Sequence, residues 1–303
     1  MSRCVIRWSV QARDRADGAK LARRAETMSD GFHKRWEQQV RHLWVLGFLL
    51  LSIAGCPTTS ANPAQSPEQQ SLAEYDLARE SYKLGKLRDV LAHVQKAVDF
   101  DSGNADAAYL GAAVLLQFCA ADEASSDCRY EEAEKYAKKA IEANPELRDA
   151  KNTLGVILVH RGRYDEAISV LKPLAGDILY NFPENAWGNL GWAYLLQGNQ
   201  DAAIDALRRA LAAQPLFCVG AYRLGLAYEK KGDFGAAREA FTKALETPAP
   251  ECQRLQDAFD ARARVGIKLG LLAEARADLT KCINIASATS LGKRCAEQLK
   301  TMQ

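Results

Sequence analysis

Apolar and small residues recur along this chain at helical spacing, and the whole pattern then repeats with a longer period. Between residues 186 and 215 they mark one face of each of two successive helices, and the same order of residues begins again 34 residues later. The matching residues are Trp187, Leu190, Gly191, Tyr194, Gly198, Ala203, Leu207, Ala210 and Pro215 in the first unit, and Leu224, Gly225, Tyr228, Gly232, Phe234, Ala237, Phe241 and Ala244 in the second. Such a period, with two helices per unit, is typical of stacked helical repeats and predicts an all-α chain.

These residues follow the tetratricopeptide repeat (TPR) pattern, and the chain resembles that family. A third unit matches upstream at an offset of 36 residues, with Leu154, Gly155, Gly162, Tyr164, Ala167 and Leu171, and weaker units flank these three. The resemblance implies a right-handed TPR superhelix, an α-solenoid of about six repeats in a domain at 71–303. The repeats are expected at 71–103, 104–147, 148–183, 184–217, 218–251 and 252–285, with a capping helix at 288–302.

Small residues are expected where the two helices of a repeat come closest. Gly191 and Ala203 leave room for the approach, while Tyr194 and Leu207 fill the space beside them. Gly198 allows a left-handed backbone at the turn. A single unit cannot bury its apolar face, so the units are expected to stack with their first helices lining a concave surface.

A short apolar run near the N-terminus ends at a cysteine. Residues 43–54 are largely apolar, but a membrane-spanning helix needs roughly twenty such residues. The run follows a basic flank with Lys34, Arg35 and Arg41, as in a secretory signal. The residues Ile53-Ala54-Gly55-Cys56 resemble a bacterial lipobox.

The lipobox resemblance implies a signal peptide at 28–55 and a fatty acyl group, such as palmitate, on Cys56 after cleavage. We expect translation to start at Met28, which leaves 1–27 as a doubtful or disordered leader. The Pro-, Ser- and Thr-rich stretch at 56–70 is typical of a flexible tether. Pro57 stands where Asp tends to cause retention in the inner membrane, so we expect an outer-membrane anchor that faces the periplasm.

Six cysteines remain for the predicted domain once Cys4 and Cys56 are set aside. An even set in an exported protein indicates disulfide bonds. The expected pairs are Cys119–Cys128, which bracket a turn insert, Cys218–Cys252, which lie one repeat apart, and Cys282–Cys295, which lie on either side of a turn. Pairing of Cys252 with Cys282 or Cys295 stays open, as do buried free thiols.

Composition and motifs argue against several classes of function. From residue 56 onward there are 30 basic and 33 acidic residues, and no basic stripe for nucleic acid is evident. We find no catalytic or phosphate-binding motif and no cysteine or histidine cluster at metal-ligand spacing. His93 and His160 stand alone on predicted helices. We therefore expect a non-enzymatic protein with no metal, no cofactor and no nucleic-acid partner.

Recognition of another protein is the role that remains, and the first helices of the repeats would carry it. Aromatic and amide side chains in a groove suit capture of an extended or helical segment. The expected groove residues are Tyr75, Arg79, Tyr82, Asn152, Val156, Asn189, Trp192, Leu196, Tyr222, Leu226 and Lys230. Trp192 is the preferred contact, whereas Trp187 occupies a packing position of the motif.

A lipobox, a short tether and about six repeats resemble the type IV pilus biogenesis lipoproteins, the PilF/PilW/Tgl pilotins. That resemblance implies an outer-membrane lipoprotein that binds secretin subunits and promotes their assembly into the pilus pore. The alternative is a TPR lipoprotein scaffold for peptidoglycan hydrolases or synthases, of the NlpI type, or a component of another envelope machine.

Overall fold

The structure is a computed structural model that describes residues 65–302, and within this range the chain forms fourteen helices and no strands. The predictions for the leader, the signal peptide and Cys56 lie outside the described residues. The helices are α1 Pro67–Lys83, α2 Leu87–Phe100, α3 Ala105–Ala121, α4 Tyr130–Ala143, α5 Arg148–His160, α6 Tyr164–Ala175, α7 Pro183–Gln197, α8 Gln200–Ala213, α9 Cys218–Lys231, α10 Phe234–Glu246, α11 Pro250–Gln253, α12 Gln256–Lys268, α13 Leu272–Ile285 and α14 Ser290–Thr301. None of these fourteen is both long enough and apolar enough to span a bilayer.

Twelve of the helices form six consecutive pairs, from α1–α2 to α9–α10 and then α12–α13. The short helix α11 lies between the last two pairs, and α14 packs on α13 and α12 at the C-terminal end. The first helices of successive pairs contact one another along the described chain, while their second helices make no comparable contacts with each other. The first helices therefore form the inner wall of a curved stack, and the prediction of an all-α solenoid is confirmed.

Five of the six turns within the pairs use a glycine with a positive φ angle. At Gly198 and Gly232 the φ angles are 93° and 85°, and each glycine ends the first helix of its pair. A residue with a Cβ is strained in this left-handed region, which explains the glycine at this repeat position. The pair α3–α4 differs, because its turn is the longer insert between Cys119 and Cys128.

The two helices of a pair come so close that a side chain is excluded at one position. A Cβ at Gly191 of α7 would lie 2.6 Å from Cγ of Leu207 and 3.2 Å from the carbonyl oxygen of Ala203, both in α8. Gly155 meets Leu171 and Gly225 meets Phe241 in the same way, and all three partner side chains are fully buried. The expected close approach at Gly191 is therefore present, and Leu207 fills the space beside it.

The structure joins the six cysteines of the domain in the three pairs that their spacing indicated. Helices packed side by side have axes about 8–10 Å apart, which is too far for a bridge between equivalent positions of adjacent repeats. The irregular segment before Cys252 makes the bridge possible. Cys252 lies in the short helix α11, where its Cα is 5.8 Å from the Cα of Cys218. The Cys282–Cys295 bridge fastens α14 to α13.

A buried carboxylate links the second and third repeats. Glu134 of α4 is 5% exposed and contacts Lys138 on its own helix and Arg161 and Arg163 in the turn between α5 and α6. Burial alone raises the pKa of the Glu134 carboxyl, but hydrogen bonds from Lys138, Arg163 and Arg161 outweigh it and lower the pKa to about 2. The carboxylate is therefore more stable in the folded chain than in the unfolded one.

Replacing Gly191 by alanine is expected to lower the free energy of unfolding by about 1–3 kcal/mol, because the new methyl group overlaps Leu207. Gly266→Ala in α12 is the matched control, since a Cβ there lies 3.5 Å from the nearest atom, Cβ of Ala275. That change should stabilise by up to about 1 kcal/mol through helix propensity. Urea titrations measure both, and equal stabilities of the two variants would contradict the close approach.

Glu134→Gln is expected to lower the free energy of unfolding by up to about 3 kcal/mol at pH 7 and by about 1 kcal/mol at pH 3. The pKa is depressed in the fold, so the stabilisation is fully present above pH 4.5 and is lost as the pH falls towards 2. Glu142→Gln, an exposed change on the same helix, serves as the control and should stay within about 0.5 kcal/mol. Denaturant titrations at pH 7 and pH 3 measure the free energy of unfolding of the wild-type chain and of both variants. A difference between the wild-type chain and Glu134→Gln that is the same at both pH values would contradict the lowered pKa of Glu134.

Candidate protein-binding face

The predicted groove residues lie on first helices, but at different depths. Leu196 and Lys230 are exposed, and Tyr75, Arg79, Tyr82, Val156, Trp192 and Leu226 are partly buried. Asn152, Asn189 and Tyr222 are buried, with exposed fractions of 6%, 2% and 5%. The expectation that these three contact a partner directly is therefore corrected: their side chains support the inner wall from within.

A chain of polar contacts runs across three successive first helices of the wall. Nδ2 of Asn189 in α7 donates to Oδ1 of Asn152 in α5 at 3.0 Å. Nη1 of Arg223 in α9 donates to Oδ1 of Asn189 at 2.9 Å and to the carbonyl oxygen of Gly188 at 3.1 Å. Buried polar groups of this kind are costly unless paired, so the contacts fix both the spacing and the orientation of the three helices.

The Arg223 guanidinium also lies over an aromatic ring of the wall. Its Cζ is 5.3 Å from the centroid of the Trp192 ring, within the range of a cation–π contact. Burial lowers the pKa of Arg223 to about 10, which leaves it charged at neutral pH. Trp192, the preferred contact, therefore lies beside the charged side chain of Arg223 on the inner face. Arg223 was not among the groove residues predicted from the sequence.

Several charged residues of the C-terminal repeats form ion pairs between helices. Arg264 of α12 meets Glu229 of α9 in a bidentate contact, with nitrogen–oxygen distances of 2.6 and 2.8 Å. It also donates to Asp260 at 2.9 Å, and Arg294 of α14 reaches the same carboxylate at 3.1 Å. These pairs connect the fifth and sixth repeats and the capping helix.

The two histidines of the described chain have local partners. Nδ1 of His93 lies 2.6 Å from Oε2 of Glu74, which joins the two helices of the first pair. His160 stacks on Tyr130 with a centroid distance of 5.3 Å, and burial lowers its pKa. Residues 65–302 contain no group of three potential metal-ligating side chains.

Comparison with known families settles what these repeats are. Tetratricopeptide repeat models match residues 128–177, 184–215 and 219–247. The chain has the tetratricopeptide-repeat fold. Together the three matched segments cover helices of the second to fifth pairs, where the glycine contacts and the polar chain of the inner wall also lie.

Solved TPR structures resemble this one over most of its length. PilW, described as a widely conserved type IV pilus biogenesis factor, has a TM-score of 0.62 and 21% identity, covering 75% of this chain and 99% of PilW. PilF of Pseudomonas aeruginosa has a TM-score of 0.59 and 17% identity, with coverage of 77% and 100%. A TPR protein of Parabacteroides merdae has a TM-score of 0.58 and 16% identity, with coverage of 80% and 86%. The TM-scores show a common fold, and the search of curated proteins found no match.

Within the TPR fold, Arg223 and Asn189 occupy equivalent positions one repeat apart, because their numbers differ by 34. Because Asn189 was a predicted groove residue, the same offset could have predicted that Arg223 also lies on the groove face. Periodicity assigns the residue to the inner wall, but it does not reveal the hydrogen bonds to the preceding repeat. The structure adds those, and with them a fixed position for the guanidinium.

Proposed function

We propose that this chain is a non-catalytic outer-membrane lipoprotein that binds secretin subunits on the inner wall of its TPR solenoid and promotes their assembly in type IV pilus biogenesis. The observation that carries the proposal is the similarity to PilW and PilF, each of which is matched over at least 99% of its own length. Both proteins are TPR solenoids of the size of the described domain, and PilW is named as a pilus biogenesis factor.

Two features of the chain support the proposed location. The lipobox resemblance at Ile53–Cys56 predicts an acyl anchor, and the stretch at 56–70 provides a tether between that anchor and the repeats. Three disulfides fit an oxidising compartment such as the periplasm. A lipid anchor would keep the inner wall close to the membrane in which a secretin assembles.

The inner wall supports a binding role on physical grounds. It combines partly buried aromatic and aliphatic side chains, including Trp192 and Leu226, with polar groups held in place by the Asn152–Asn189–Arg223 contacts. Aromatic residues and arginine dominate the energetics of protein interfaces. A concave surface built from rigid helices also binds an extended segment without a large loss of its own conformational entropy.

Deletion of the gene is expected to abolish heat-resistant secretin multimers in membranes of a piliated host, as seen by immunoblot. The full chain and Cys4→Ala should restore them, whereas Cys56→Ala should leave the protein outside the outer-membrane fraction and the multimers depleted. Normal multimers in the deletion strain would refute the proposal. Capture of a peptidoglycan hydrolase or synthase by the chain, with pili intact, would instead support the scaffold alternative.

A further inference from the structure

The linker between the third and fourth repeats carries two adjacent apolar side chains that project into solvent. Residues 176–182 join α6 to α7, whereas the linkers after the first, second and fourth pairs contain only four residues each. Ile178 is 96% exposed and Leu179 is 66% exposed, and no other large apolar side chain of residues 65–302 is more exposed than these two. Single exposed apolar residues are common, but two neighbours at the tip of one projecting loop form a candidate contact surface.

An aromatic residue beneath the loop holds it on the solenoid. Tyr180 is buried, and its ring packs edge-on against Phe182 with a centroid distance of 6.1 Å. Its hydroxyl donates to Oδ1 of Asp149 in α5 at 3.3 Å. The linker is therefore attached to the third repeat directly after the two exposed side chains.

A carboxylate fixes the other side of the tip. Oδ1 of Asp177 accepts from the N–H of Leu179 at 2.9 Å, and Oδ2 accepts from Nε of Arg148 at 2.6 Å. Asp177 is the one charged residue of the linker sequence, and its charge is paired with that of Arg148. The loop thus presents aliphatic side chains in a defined position, without an unpaired carboxylate of its own beside them.

The loop lies at the edge of the solenoid where the chain enters the first repeat. Helices of the first four pairs alternate in direction, so their first helices run parallel and begin at the same edge. Pro67, where α1 begins, is at this edge, and so are all the linkers between these pairs. Phe100 and Leu216 add two further exposed apolar side chains to the same edge. The turns within the pairs lie at the opposite edge.

The proposed acyl anchor is connected to this same edge. Cys56 and Pro67 are eleven residues apart, and a stretch of that length spans at most about 40 Å when fully extended. Helix α1 has 17 residues and is about 25 Å long, so the opposite edge is one helix length farther along the solenoid from the point of attachment. The position of the tether therefore favours the edge with the apolar tip for contact with lipid.

We propose that the loop with Ile178 and Leu179 inserts into the lipid interface of the membrane to which the chain is anchored. A bilayer accepts projecting aliphatic side chains without a matching pocket, and such a contact adds to the binding that a lipid anchor provides. The first helices begin at this edge, so the inner wall that they form extends away from the bilayer. This inference rests on the membrane anchor of the proposed function, and it adds an orientation of the solenoid on the membrane.

Photocrosslinking to phospholipid in living cells tests the contact. The full chain carries a benzophenone amino acid in place of Ile178 or, as the matched control, of Leu84, which is 63% exposed in a turn at the opposite edge. Growth with ³²P-phosphate labels phospholipid but not an acyl group on Cys56. After irradiation, the chain is purified from the outer-membrane fraction and extracted with solvent. We expect at least about tenfold more bound ³²P from position 178 than from position 84, because burial of one aliphatic side chain favours the inserted state by at least this factor.

A charge at the tip distinguishes insertion from proximity to the bilayer. Leu179→Asp removes an aliphatic side chain and adds a carboxylate, so phospholipid labelling from position 178 should fall at least about threefold. Leu84→Asp, the same change at the opposite edge, should leave that labelling unchanged. Both positions are exposed, so both variants should retain the circular dichroism of the wild-type chain. Labelling that Leu179→Asp does not reduce would contradict insertion.

The other outcomes separate this inference from the proposed function. Equal ³²P labelling from positions 178 and 84, in a chain recovered from the outer-membrane fraction, would overturn the inserted loop and leave the anchor in place. A crosslink from position 178 to a protein instead of phospholipid would also overturn it and make the tip a docking site for a partner. Absence of the chain from the outer-membrane fraction would contradict both the anchor and the inserted loop. Secretin assembly is decided separately by the multimer assay in the deletion strain.

Discussion

The close approach of the two helices within the third, fourth and fifth repeats is the constraint on which the rest of the structure depends. At Gly155, Gly191 and Gly225 the first helix has no side chain, and Leu171, Leu207 or Phe241 of the second helix fills the space. Each pair is thereby fixed as a compact unit, and an apolar surface remains that only another pair can bury. Contacts between successive pairs bury that surface, and the first helices line the inner wall of the stack.

Polar and covalent links then adapt the stack where simple repetition fails. Glu134 joins the second repeat to the third through Arg161 and Arg163, and α11 carries Cys252 into reach of Cys218. A repeat protein is stabilised mainly by contacts between neighbours, so links of this kind control how cooperatively the array unfolds. On the inner wall the links are hydrogen bonds, and they hold the side chains that a partner would meet.

Much of this architecture could be predicted from the sequence, because its features are periodic. The 34-residue offset of Gly191 and Gly225 predicted the paired helices. The bridge between Cys218 and Cys252 was expected in spite of their 34-residue offset, because the irregular segment before Cys252 can bring the two residues closer than equivalent positions of adjacent repeats. The depth of the groove residues was not predictable in this way. Asn152, Asn189 and Tyr222 lie on the expected face, but their side chains are buried. The Arg223 contacts cross between repeats, and no pattern within one repeat encodes them.

Photocrosslinking in living cells tests most directly whether the inner wall is the surface that binds a secretin. A benzophenone amino acid replaces Leu196, which is 40% exposed on the first helix α7, or Arg209, which is exposed on the second helix α8. If the inner wall binds the partner, irradiation yields a crosslink to secretin from position 196 and none from position 209. Equal crosslinking from both positions, or crosslinking to secretin from position 209 alone, would contradict this.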